Sequence, residues 1–351
     1  MTTRLYFDYN SANPDTDSTV DVTPSSWSAG WNATGAGNTH LCDRYKLGSA
    51  LVTWVSATAL SGTSGHFTAI GRHVSPPLQA QTISGTIKGQ MQWNELTATN
   101  DLTAAIAVKV IQPDGTDRGV LLAVSASDNT SATPPEMSAG SVVNRRFQDA
   151  SESASLTLSN LAVSEGDRLV IEIGARQAST STSTTWGSRI GSSGGTDLPE
   201  DDTDTATTTK EPWVEFSNTV NFLPVYFGSA ATPEDAASEI NEPVTSTVTP
   251  PTGMLAGDLV LLWGQLQVAA ANASITQSEL GGQSWAQVSL TAQGNDQSVN
   301  LYFCTFDGTW DASPSIAFAA QNGTQPATCG MHVFRPPNTT DTWALDQTGA
   351  F

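Results

Sequence analysis

Hydrophobic and polar positions in this chain alternate with a period of two, and the 3.6-residue period of an amphipathic helix is absent. Residues 156–176, LTLSNLAVSEGDRLVIEIGAR, set the pattern. Leu156 and Leu158 alternate with polar neighbours, Asn160 interrupts, and Leu161 and Val163 resume the run. Glu165-Gly166-Asp167 supplies a tight turn, because glycine takes positive φ without a Cβ clash. Beyond it Leu169, Ile171 and Ile173 alternate with Arg168, Val170 and Glu172. The stretch predicts an antiparallel hairpin with one buried and one wetter face. A shorter echo, GDLVLLWG at 257–264, opens the last third. The two segments differ in length by one residue, so duplication stays open.

The same rule extends along the chain. Residues 3–7 predict a short strand with Leu5 and Phe7 on one face. Residues 51–55 and 67–74 predict two more, the second closed by Ser75-Pro76-Pro77. Residues 81–93 read as one strand that alternates Ile83, Ile87, Met91 and Trp93 with polar positions. Residues 104–111 and 120–124 flank Gln112-Pro113-Asp114-Gly115, a hairpin turn in which proline presets φ and Asp-Gly closes the bend. Strands at 142–147, 213–216 and 220–222 complete a first domain. A second set follows at 226–227, 244–248, 258–268 (a buried central strand), 275, 285–290, 299–306, 315–318 and 331–334, with a strand-like tail at 343–351. Residues 233–240 make two helical turns at most. The expected fold is all-β, two consecutive antiparallel β-sandwich (jelly-roll-like) domains at 1–224 and 225–351.

Composition sharpens this picture. A chain of 351 residues can bury two full cores. Charged residues make up 14% and hydrophobic ones 38%, which argues against coiled coils and against wholesale disorder. The net charge is −20, and residues 225–351 hold a single Lys or Arg, Arg335, against eleven acidic residues. Such a surface repels phosphate backbones, so no nucleic-acid partner is expected. No apolar run is long enough to cross a bilayer as a helix, and no secretory leader is read at the N-terminus. Membrane insertion is not expected. Export would occur by lysis, by a dedicated secretion system or as part of a particle. Cys42, Cys304 and Cys329 make no disulfide framework; Cys304 and Cys329 can pair, with buried thiols as the default.

Candidate chemistry is sparse. Gly191-Ser-Ser-Gly-Gly195 satisfies G-x-S-x-G, but a Ser/Thr linker precedes it and an acidic loop follows where a nucleophile elbow needs strand and helix. His40, His66, His73 and His332 fall in no zinc spacing, and His66 and His73 lie on opposite faces of a regular strand. The acidic cluster Asp197, Glu200, Asp201, Asp202 and Asp204 offers calcium a set of oxygens, with Asp201, Asp202 and Asp204 sharing one ion. A solvated loop is the default reading of the same charges. Calcium is the one cofactor considered. Trp186 and Trp213 flank this loop and are candidates for stacking on sugar rings or for anchoring an interface, with a core role as the default.

The segments LAVSEGDRLVIEIGAR, GGTDLPEDDTDTATTTKEPWVEFS, PPTGMLAGDLVLLWG, NLYFCTFDGTW and MHVFRPP together resemble β-rich virion proteins of tailed bacteriophages. These are capsid decoration proteins, head fibres and tail fibres or adhesins. The resemblance is one of segment style and order over both domains and carries no functional residue. It implies a non-enzymatic structural protein of a particle surface, made in the host cytoplasm and carried on the virion. The implied partners are capsid or tail proteins, further copies of itself in an oligomer such as a trimer, and a host surface glycan. Carbohydrate recognition is the alternative function, with polysaccharide cleavage behind it.

Overall fold

The computed structural model describes residues 2–8, 22–34, 39–46, 49–56, 63–95, 101–128, 136–137, 142–180, 185–203, 209–232, 244–267, 275–279, 281–288, 297–318, 327–336 and 342–343. Among them the chain is all-β and contains no helix. It divides into two compact units, Met1–Leu223 and Pro224–Phe351.

Unit one begins with β1 (Thr3–Phe7), β2 (Ala33–Thr34), β3 (Thr39–Asp43), β4 (Ser49–Ser56) and β5 (His66–Pro77). It continues with β6 (Gln81–Ile83), β7 (Thr86–Glu95), β8 (Leu102–Ile111), β9 (Asp117–Ala126) and β10 (Val143–Arg146). The last five are β11 (Leu156–Thr157), β12 (Leu161–Val163), β13 (Arg168–Gln177), β14 (Trp186–Ser192) and β15 (Trp213–Phe216). A 13-stranded sheet follows the order β4-β14-β7-β15-β1-β3-β5-β13-β8-β9, with β10 and β11 added on β7 and β2 on β5; β6 and β12 pair separately. Leu5, Phe7, Met91, Trp93, Val214 and Phe216 from one half of this path share one apolar cluster with Ile70, Ile106, Leu169, Ile171 and Ile173 from the other.

The β8–β9 hairpin forms where Gln112-Pro-Asp-Gly predicts it, with Gly115 at φ 84°. The hairpin expected at 156–176 does not form. Its turn is present, with Gly166 at φ 86°, but β11 pairs with β7, β12 with β6, and β13 lies between β5 and β8. Nor does β13 have a wet face, since Arg168, Val170 and Glu172 are buried along with Leu169 and Ile171. The reason is a second cover. Ser28 N and Trp31 Nε1 donate to the Glu172 carboxylate at 3.0 and 2.7 Å, and the buried Lys109 ammonium donates to Ser26 O at 2.6 Å. Residues 26–31 thus lie across the outer face of β13 and β8 on satisfied polar contacts. A side chain at Gly174 would collide with Trp31 and with the Thr68 carbonyl, so this close approach requires glycine there.

Three smaller expectations change. Residues 81–93 split at Gly85 (φ 95°) into β6 and β7. Strand β5 runs on through Pro77, and of 220–222 only Phe222 makes a bridge, to Leu78.

Unit two comprises β16 (Val225–Thr232), β17 (Val244–Thr247), β18 (Leu259–Gln267), β19 (Ile275–Glu279), β20 (Ala286–Val288), β21 (Gln297–Thr305), β22 (Ser315–Phe318) and β23 (Ala327–Arg335). They form a five-stranded sheet, β16-β23-β18-β21-β20, and a three-stranded sheet, β17-β22-β19. Val260, Leu262, Cys304 and Met331 from the first meet Ile316 and Phe318 from the second in one core. Strand β18 is central, as its sequence predicts. Cys304 and Cys329 are buried thiols on the two strands that flank it, with no disulfide between them. Residues 233–240 and 344–351, where the sequence predicts at most a short helix and a last strand, lie outside the described residues.

The interior strand β13 of the first sheet and the central strand β18 of the second unit start in the same way. Gly166 N and Gly257 N donate to Leu78 O and Phe306 O, whose own residues donate back to Asp167 O and Asp258 O, all at 2.7–2.9 Å. Each aspartate carboxylate accepts the backbone N–H three residues earlier, from Ser164 at 2.7 Å and Leu255 at 2.8 Å. An arginine from another strand completes each clasp. Arg118 holds Asp167, and Arg335 holds Asp258 through two 3.0 Å hydrogen bonds. The echo read in the sequence therefore extends to geometry, and the one Lys or Arg of residues 225–351 serves an internal ion pair.

Candidate functional site

The acidic loop is tied to the sheet. Asp202 Oδ1 accepts from Arg146 N at 2.8 Å, and Oδ2 accepts from Arg146 Nε at 2.8 Å, Arg146 Nη2 at 2.6 Å and Gln148 Nε2 at 3.1 Å. The Asp201 backbone exchanges two hydrogen bonds with the Gln90 side chain, and its Oδ1 accepts from Thr203 Oγ1 at 3.1 Å. Asp204 lies outside the described residues. The Asp202 carboxylate is thus taken up by Arg146 and Gln148, whereas the Asp201 carboxylate accepts from Thr203 and Asn144. Among the described residues no three His, Cys, Asp or Glu side chains are spaced to hold a metal.

Trp186 and Trp213 take the core role that is their default reading, and not the sugar-stacking or interface role. Trp186 is fully buried and stacks on Trp93 at 6.3 Å inside the core. Trp213 is 2% exposed, donates Nε1 to Leu198 O at 2.8 Å, and carries the Arg4 guanidinium 3.9 Å above its ring. Neither indole has a face free for a sugar or a partner protein. The polar sequence around them concealed this, because their covers come from remote segments.

Around Trp213 the strands assemble a cluster of charged side chains. On β1, Leu5 and Phe7 point into the core, which leaves Arg4 and Tyr6 on the other face. Arg4 is the register partner of Glu215 and donates Nη2 to it at 2.8 Å. Asp197, bridged to Glu211 in parallel register, projects beside them. Its Oδ2 accepts from Arg4 Nη1 at 2.5 Å and from Tyr6 OH at 3.1 Å; its Oδ1 lies 2.8 Å from Lys46 Nζ. Lys46 Nζ is also 3.1 Å from Oε2 of Glu211, whose side chain is 0% exposed. Glu211 Oε1 accepts from Gly195 N at 2.7 Å and from Ser193 Oγ at 3.0 Å. Ser193, the central serine of G-x-S-x-G, thus bonds to a glutamate beside a loop, with no helix behind it. Burial pushes the Asp197 carboxyl up, but hydrogen bonds from Lys46 and Arg4 outweigh it and hold the group below its ordinary range. Burial likewise disfavours the Lys46 ammonium, and hydrogen bonds to Asp197 and Glu211 reverse that effect.

Other buried ionisable groups were hidden in the sequence. His73 faces His40 across the parallel β3–β5 register, with ring centroids 5.6 Å apart, a pairing that the sequence spacing does not announce. Burial, with the neighbouring His40, holds His73 well below the ordinary histidine value. Glu95 at the end of β7 is 0% exposed, and burial pushes its carboxyl up to about 8. In unit two, buried Phe306 stacks on half-buried Trp310 at 4.9 Å, and Trp310 on half-buried Trp285 at 6.3 Å. Gln283 fixes the two loops that carry them, donating to Asp307 Oδ1 at 2.9 Å and accepting from Asp307 N at 3.0 Å. Tryptophans beside the turns GGQSW and GTWDAS are the sequence signal for this column.

Compared with known protein families, with curated proteins and with solved structures, the chain has no match in any of the three.

Proposed function

We propose that this protein is a non-enzymatic structural component of a bacteriophage particle surface, built as two consecutive jelly-roll-like β-sandwiches. The observation that carries the reading is the use made of buried and half-buried ionisable groups. Asp167, Asp202 and Asp258 each hold an arginine that ties a turn or loop to a strand, and Glu172 fastens residues 26–31 over a sheet. Charge placed in this way stiffens a scaffold, and the segment style shared with tailed-phage decoration and fibre proteins agrees with it. Capsid or tail proteins and further copies of the chain are the partners this reading requires. The test is density-gradient purification of intact particles. Stoichiometric co-migration supports the proposal, and recovery only in the soluble lysate refutes it.

Carbohydrate recognition is a second reading favoured by one observation, the column Phe306–Trp310–Trp285 with exposed Asp307 and Asp311 beside it. Indole faces next to hydrogen-bonding carboxylates suit a sugar ring. A glycan array decides it: hits lost in Trp285→Ala support the reading, and an array without hits rejects it.

A further inference from the structure

Lys46, Asp197 and Glu211 bring an amine and two carboxylates within contact of one another. We infer that Lys46 and Asp197 are joined by an intramolecular isopeptide bond, formed once in each folded molecule with Glu211 as proton relay. Three features converge on this. The nucleophile is in place, since Lys46 Nζ sits 2.8 Å from Asp197 Oδ1, within reach of the carboxyl carbon. A base is in place, since Oε2 of the fully buried Glu211 is 3.1 Å from the same nitrogen. That carboxylate is held still from its other oxygen by Gly195 N and Ser193 Oγ. Two donors are also aimed at the oxygen that would carry negative charge, because Arg4 Nη1 and Tyr6 OH both reach Asp197 Oδ2.

The step balances within these groups. One proton crosses from Lys46 Nζ to Asp197 Oδ1, turning ammonium and carboxylate into amine and carboxylic acid. The nitrogen lone pair attacks Cγ, and charge on Oδ2 is met by Arg4 and Tyr6. Glu211 takes a second proton from the nitrogen and delivers it to the hydroxyl at Oδ1. The Cγ–Oδ1 bond breaks, water leaves, Oδ2 regains its double bond and Glu211 is again a carboxylate. Ammonium plus carboxylate has become amide plus water, with no oxidant, metal or co-substrate. The resting pair is ionised, so the first proton transfer is slow, which a reaction occurring once per molecule tolerates. The cross-link joins the segment after β3 to the segment after β14, far apart in sequence, and would resist unfolding of the sheet between them.

The inference stands independently of the particle-surface reading. Its test is mass spectrometry of the full chain under denaturing conditions, where ion pairs do not survive. The wild-type protein is expected about 18 Da lighter than its sequence, with Lys46 resistant to trypsin and its peptide joined to the one containing Asp197. Lys46→Arg and Glu211→Gln are expected at full sequence mass. A wild-type chain at full mass overturns the proposal, as does a mass loss that maps elsewhere. A Glu211→Gln protein that still carries the cross-link removes Glu211 from the reaction. Peptide mapping of the wild type needs no variant, so it decides the matter even where a substitution fails to fold.

Discussion

Glu95 gives the most direct test of how burial governs this fold. Its carboxyl lies at the end of β7 opposite Trp186; Oε2 accepts from Leu102 N at 3.3 Å, and Oε1 has no hydrogen-bond partner among the described residues. Burial, with the nearby charges of Glu136 and Asp101, pushes the pKa from 4.5 to about 8. The native state therefore keeps a proton that the unfolded chain releases above 4.5. Stability from this group is fully present below 4.5 and is lost as pH rises toward about 8. At about 1.4 kcal/mol per pH unit the ceiling is roughly 5 kcal/mol, and water penetration and screening reduce it to ~1–3 kcal/mol. Glu95→Gln keeps the shape and the acceptor for Leu102 but cannot ionise. Urea unfolding followed by tryptophan fluorescence between pH 5 and pH 8 should show the wild type losing ~1–3 kcal/mol relative to the variant. Parallel pH profiles for the two proteins would refute the reasoning.

Three further outcomes follow from the same geometry. His73 is buried neutral with its pKa held below 6.5, so stability should fall as pH drops below 6.5, by up to about 1.4 kcal/mol per pH unit; a His73→Phe protein with an unchanged acid limb contradicts this. Arg335→Ala leaves the Asp258 carboxylate, 1% exposed, without its cation, and should destabilise unit two by about 3–5 kcal/mol in calorimetry; a change below about 1 kcal/mol would mean the pair is neutral to stability. Because Arg146 and Gln148 already fill Asp202, adding EDTA or calcium should leave the melting temperature unchanged, and a rise with calcium would restore the ion site.

What the sequence made legible was local. Gln112-Pro-Asp-Gly announces its hairpin because a turn is decided by the residues inside it, and β18 announces a central strand because its apolar run is long. The pairing of β13 was not legible. Which strands flank it depends on β5 and β8, remote in sequence, and its polar outer positions are buried by residues 26–31 through Glu172 and Lys109. Trp186 and Trp213 escape a sequence reading for the same reason, since Trp93, Arg4 and Leu198 arrive from elsewhere to cover them. His40 meets His73 only through parallel pairing, which no spacing rule anticipates. The candidate reaction centre was half visible. Asp197 stood out in its acidic run, but Lys46 and Glu211 gave no signal until the fold placed them beside it.

The matched clasps at Asp167 and Asp258 carry a consequence for alignment. Side chains on a strand swap faces with every one-residue slip, and Leu169 or Val260 displaced in this way would leave the core for the opposite side. By fixing the residue just before each middle strand at three backbone points and one guanidinium, the clasp works as a ratchet stop that admits one alignment only. Removing the stop should yield chains that still form sheets but settle into several offsets, an error that loss of stability alone would not reveal.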